Sequence, residues 1–182
     1  MLHGVRLLGT PTILVTVFVS SGVDALQQRD FIDALVRDAV NAALARFSVK
    51  VRFEVDRWER TAPHKITQDG SANDEFVARA KQASLVVGIL IDKMGEGTRE
   101  ELEAVLPEDD VELSIVWCED REGQPDSAVS RWLAGRQDDV VYDRAGRPDT
   151  PGPQIALTRL FIEAMLSAMR DHAPKELWHE VR

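Results

Sequence analysis

One residue of this chain stands out as able to do chemistry: Glu101, in the stretch "DKMGEGTREELEAVL" spanning residues 92–106. A carboxylate can stabilise positive charge on a reacting carbon or attack that carbon outright. The bland reading is equally concrete. Thr98-Arg99-Glu100-Glu101 has the form of a capping box, in which Thr98 caps a helix and Glu101 folds back onto the Thr98 N–H. Such a cap contributes about 0.5–2 kcal/mol. The two readings exclude each other, because a side chain folded onto Thr98 cannot reach a ligand. Glu100 lies about 100° round the helix and reads as solvated.

The elements that must position Glu101 follow from apolar patterning. Residues 12–20, "TILVTVFVS", form a run of apolar and β-branched residues and predict a strand buried on both faces. Asp24 is placed to cap the next helix, whose apolar positions Leu26, Phe31, Leu35, Val36, Val40, Ala43, Leu44 and Phe47 recur at helical spacing. Arg29 on that helix has Asp33 four residues on, a spacing suited to an ion pair. Residues 49–55, "VKVRFEV", alternate with period two, as an edge strand does. A polar segment covers 56–70, and a helix is expected over 71–82. Strands are predicted at 85–91 and 111–118, with helices following each, the first from Thr98 and the second over 127–134. A weak strand at 140–142 precedes the loop "DRAGRPDTPGP", and a long helix is expected over 155–169.

Strands alternating with helices imply a mostly parallel sheet, since right-handed crossovers place helices on its faces. The expected fold is α/β: a flavodoxin-like three-layer sandwich with five strands in the order 2-1-3-4-5. Residues 1–172 then form one domain and 173–182 a polar C-terminal tail or linker stub. In such sheets ligands bind beyond the carboxyl ends of the strands, where the strand order reverses. The residues delivered there are Ser20, Ser21 and Gly22 from the first strand, Asp56 to Trp58 from the second, and Asp92 to Glu101 from the third.

Bulk properties narrow the function classes. The chain has 182 residues and a formal net charge of −9, which disfavours nucleic-acid phosphate backbones. No apolar run approaches the roughly 20 residues needed to span a bilayer, so no membrane contact is expected. Cys118 is the single cysteine, which excludes an internal disulfide and fits a cytoplasmic location. At the end of a buried strand it reads as an inert core thiol. The four histidines, His3, His64, His172 and His179, are scattered, and no metal site is expected. Trp117, Trp132 and Trp178 read as packing residues.

Three stretches carry a resemblance. "VFVSSGVDALQQRDFI", "VRFEVDRWE" and "ASLVVGILIDKMGEGTREELEAV" resemble, in order, three elements of bacterial toll/interleukin-receptor-like (TIR-like) domains. These are the strand ending in paired serines, the second strand with its tryptophan and glutamate, and the third strand with a Gly-Thr-x-x-Glu helix start. The last element also occurs in nucleoside 2-deoxyribosyltransferases, which are related in fold. The likeness covers about residues 13–106. Met94 and Glu96 occupy turn positions often held by small or polar residues.

The resemblance implies cleavage of a ribose–base bond, often that of NAD+, by one glutamate, which here is Glu101. Nicotinamide is already cationic in NAD+ and leaves neutral, so no second carboxyl is required as an acid. The implied activity is a NAD+ glycohydrolase in bacterial defence, activated by self-association or a partner sensor domain, with NAD+ as substrate and no further cofactor. Substrate contacts are expected from Ser20, Ser21, Gly22, Trp58, Asp92 and Thr98. Each also has a local reading: the Ser-Gly segment and Asp92 as turn residues, and Trp58 as cover for a sheet edge. Arg57, Arg60, His64, Lys65, Lys93 and Arg99 fall on segments facing the cleft, where an anionic dinucleotide needs them. Two other functions fit the same fold: an assembly module without catalysis, and a base-exchanging deoxyribosyltransferase-like enzyme.

Overall fold

The computed structural model describes residues 12–57, 73–91, 94–108, 110–118, 127–136 and 142–172. Five strands form one sheet: β1 (Ile13–Ser21), β2 (Val51–Asp56), β3 (Leu85–Leu90), β4 (Glu112–Cys118) and β5 (Tyr142–Gly146). Their order is β2-β1-β3-β4-β5, as the alternation of elements predicts. Every adjacent pair is parallel. The helices are α1 (Leu26–Leu35), α2 (Asn41–Arg46), α3 (Asp74–Gln82), α4 (Glu96–Val105), α5 (Ala128–Ala134) and α6 (Gly152–His172).

Successive strand residues point to opposite faces of a sheet, and the two faces have separate cores. Val17 and Val19 of β1, with Val87, Ile89 and Val116, pack under α1, α2 and α6. Phe18, Val86, Leu90, Ile115 and Trp117 pack under α3, α4 and α5. This is the three-layer arrangement, and it explains the apolar runs. All six residues of β3 are buried because helices cover both sides. In β2, Val51, Phe53 and Val55 are buried while Arg52 and Glu54 are exposed, the alternation of an edge strand.

Between α1 and α2 the helix opens into one π-turn over Val36–Val40. The sequence supplies a reason. Ile32, Val36, Val40 and Leu44 are each at most 3% exposed and sit four residues apart. In an α-helix a four-residue step overshoots one turn by about 40°, so three such steps would carry the stripe off the core. A wider π-turn absorbs the drift. It also delivers Asn41 to the sheet edge, where its Nδ2 donates to Phe53 O at 2.8 Å and its Oδ1 accepts from Phe53 N at 2.8 Å.

Several boundaries differ from the sequence reading. Asp24 is not a cap: it lies in a 3-10 turn, Val23–Ala25, and neither that turn nor α1 has a side-chain cap. Residues 49–50 precede β2, although Val49 is buried at 5% exposure. β5 includes Tyr142, as expected, and runs on into the segment read as loop, through Asp143, Arg144 and Ala145 to Gly146. Its neighbour β4 supplies backbone partners for that segment, a non-local effect no loop composition reveals. The last helix begins at Gly152, against β5, where a Cβ would lie 1.8 Å from Ala145 O.

Candidate functional site

The carboxyl end of β1 meets α4 above β3, beside the reversal of strand order. Ser20 shares the orientation of Phe18 and faces α4, while Ser21 shares that of Val17 and Val19 and faces α1. Ser20 Oγ donates to Glu101 Oε2 at 2.6 Å, joining residues 81 positions apart. Both groups are buried, Ser20 at 1% and Glu101 at 9% exposure.

The capping-box reading of Glu101 does not hold. The N-cap of α4 is Gly95, without a side-chain cap bond, and Thr98 lies inside the helix. Glu101 therefore sits near the middle of α4 and reaches across to β1 rather than back to its own helix start. The Gly-x-Gly turn lets the helix begin before Thr98, which the threonine pattern obscures.

Two glycines set this approach. Gly88 of β3 is the register partner of Ser20. A Cβ there would stand 3.1 Å from Leu102 Cδ2 and 3.2 Å from Ile115 Cγ1, so glycine allows α4 to settle onto the sheet beside β1. Gly97 does the same at the helix start, where a Cβ would meet Asn73 Oδ1 at 2.9 Å. Asn73 Nδ2 donates to Gly97 O at 3.2 Å and to Glu100 at 2.7 Å. Glu100 is exposed, as expected, but is held by this contact.

Burial pushes the Glu101 carboxyl up to about 7. The Ser20 hydrogen bond and the positive charge of Arg79 oppose that rise, and Glu100 adds to it. Arg79 is itself ion-paired with Asp56 at the end of β2. Its contribution is a signal the sequence reading missed, because α3 lies across a polar segment from β2.

The other side of the strand end is closed by Arg29, 1% exposed. Its Nη1 donates to Ser21 Oγ at 2.7 Å and to Gly22 O at 2.5 Å. Arg29 thus reaches the end of β1 as well as lying on the helix of Asp33. Asp33 binds Arg57 Nη1 at 2.5 Å, and Asp30 binds the same nitrogen at 2.8 Å. Arg57, expected to face a ligand, is thus buried against α1.

Of the expected site residues, Glu101 and Ser20 come together directly. Ser21 and Gly22 are tied to Arg29. Thr98 is buried one turn before Glu101. Trp58 and Asp92 lie outside the described residues, as do Arg60, His64, Lys65, Lys93 and Trp178. Arg99 is exposed and lines a cavity of about 340 Å³ with Met94, Glu96, Ala128 and Trp132. Trp117 and Trp132 are buried in the core, as expected. So is Cys118, whose thiol is pushed up to about 12, chiefly by burial and also by Asp24. Among the described residues no three His, Cys, Asp or Glu side chains are grouped to hold a metal ion. No helix among them is long and apolar enough to cross a membrane.

Neither a protein-family model nor a curated protein matches the chain. Solved structures similar to it include rubredoxin oxygen:oxidoreductase from Desulfovibrio gigas, at 10% identity and TM-score 0.43 over 87% of this chain. The chain spans only 37% of that oxidoreductase. A diflavin flavoprotein from Nostoc sp. is similar at 11% identity and TM-score 0.40, covering 93% of this chain and 99% of that one. The sugar isomerase domain of an RpiR transcription factor from Sphaerobacter thermophilus gives 16% identity and TM-score 0.37, over 88% and 78%. At these values the likeness says nothing about a ligand or a reaction.

Proposed function

We propose that the protein is a TIR-like NAD+ glycohydrolase in which Glu101 is the catalytic carboxylate. The observation that carries this reading is the position of Glu101: buried, turned away from its own helix start, and held at the strand rim by Ser20. A carboxylate taken out of water resists ionisation, and a structural role at this position would be met more cheaply by an apolar side chain. Positive charge brought close to it is correspondingly well stabilised.

The chemistry follows. The C1′–nitrogen bond of the nicotinamide ribosyl group breaks, and its electron pair leaves with neutral nicotinamide. The developing oxocarbenium charge is stabilised by ionised Glu101, or the carboxylate closes on C1′ as an ester. Water then adds at C1′, breaking the ester bond where one has formed and returning the Glu101 carboxylate, and its proton passes to solvent, giving ADP-ribose. Because the step needs the carboxylate, kcat/KM rises with pH through about 7 and levels off above it.

The test is release of nicotinamide from NAD+ by concentrated protein, compared with Glu101→Gln. A loss of at least about a hundred-fold in kcat, with an unchanged thermal melt below pH 5, is expected. Equal turnover by both proteins would remove Glu101 from the reaction. A second reading, an assembly module, draws on Ile155, Ile162 and Leu166, which α6 leaves exposed at 67%, 44% and 51%. Self-association without nicotinamide release at any concentration would favour it.

A further inference from the structure

The paired serines ending β1 were expected to meet the substrate together, yet the sheet turns them to opposite sides. Ser21 belongs to the Arg29 contact. Ser20 has its hydroxyl on Glu101 Oε2. We propose that Ser20 is a positioning residue: its hydroxyl fixes the aim of the Glu101 carboxylate and favours its ionised form, leaving Oε1 as the oxygen that meets the reacting carbon.

The geometry is restrictive. Ser20 is 1% exposed and flanked by Phe18 and Val19, both core residues. Its backbone is held in register with Gly88 of β3. Arg29 clamps the next two residues through Ser21 Oγ and Gly22 O, so the strand end cannot turn Ser20 elsewhere without breaking a buried contact. When Glu101 is ionised, the Ser20 hydroxyl at 2.6 Å donates to a charged acceptor, the stronger kind of hydrogen bond. Its proton is then unavailable to a ribose oxygen.

Among the described residues, charged groups on two elements bear on Glu101. Arg79 of α3 favours the ionised carboxyl and Glu100 of α4 opposes it, with Ser20 supplying the hydrogen bond from β1. Arg79 is neutralised in part by Asp56 at the end of β2, and Arg29 stands behind Ser21 on the opposite face. Ser20 therefore supplies the short-range contact that favours charge on Glu101.

The inference rests on Glu101 being the reactive carboxylate, but its first readout needs no substrate. Glutamate side chains labelled with carbon-13 are titrated by NMR in the wild type, Ser20→Ala, Ser20→Thr and, for assignment, Glu101→Gln. The Glu101 midpoint is expected to move upward in Ser20→Ala and to return toward the wild-type value in Ser20→Thr. With NAD+, Ser20→Ala is expected to lower kcat at neutral pH about ten-fold or more, to leave KM within about two-fold, and to shift the pH profile alkaline. A Glu101 midpoint unchanged in Ser20→Ala overturns the proposal, as does a KM increase with kcat preserved, which would make Ser20 a substrate contact. A wild type that titrates as expected but releases no nicotinamide refutes the hydrolase reading alone.

Discussion

A carboxyl group buried at the rim of a sheet binds its proton more tightly than one in an unfolded chain, and that difference is visible in stability. The Glu101 carboxyl rises from 4.5 to about 7 on folding, chiefly through burial. Between those two values the folded state holds the extra proton, so stability falls as pH rises through this window. Below 4.5 the penalty is absent, and above about 7 it is complete. The rise corresponds to about 3 kcal/mol. Glu101→Gln is neutral at every pH, so it should melt with the wild type near pH 4 and above it near pH 8. Paired thermal melts across that range check the sign. A gap between the two proteins that stays constant with pH would mean that Glu101 is not desolvated.

At the scale of elements, the distance between α4 and β1 depends on an absent side chain. Gly88→Ala would place a methyl against Leu102 and Ile115, both buried at the centre of their face. Overpacking of this kind costs about 1–3 kcal/mol. Its larger effect should be on the site: lifting α4 off β3 stretches the Ser20–Glu101 contact, which needs far less than an ångström of movement to weaken. We predict that Gly88→Ala keeps its fold by circular dichroism while losing most nicotinamide release. A control at Gly135, where a Cβ meets nothing nearer than 3.6 Å, should lose none. Most elements were legible in the sequence because their patterns are local. The buried runs of β1, β3 and β4 and the alternation of β2 need no knowledge of neighbours. β5 runs past its expected end because its pairing to β4, not its composition, makes residues 143–146 a strand. Glu101 was legible as a residue at a strand end, but its orientation depended on where α4 starts. The contacts of Arg29 with the end of β1 and of Arg57 with α1 were not legible, because spacing along one element says nothing of partners on another.

At the scale of the molecule, a net charge of −9 and two helical layers leave the ends of the sheet as the places where the chain can meet others through its backbone. β2 is one such end of the sheet, and a strand edge left open is a template for another strand. The Asn41 carboxamide, brought there by the π-turn, presents one donor and one acceptor to Phe53 as a neighbouring peptide group would. It acts as a one-residue false strand that terminates the ladder at the middle of β2. Asn41→Ala should therefore do more than remove two hydrogen bonds: it should make light scattering on storage depend steeply on protein concentration, while Asn41→Gln, with the same groups on a longer arm, retains part of the protection. If both variants stay monodisperse, the guard at this edge is not Asn41. The helix irregularity that keeps Ile32 and Leu44 in one core thus also limits how far the sheet can grow from β2.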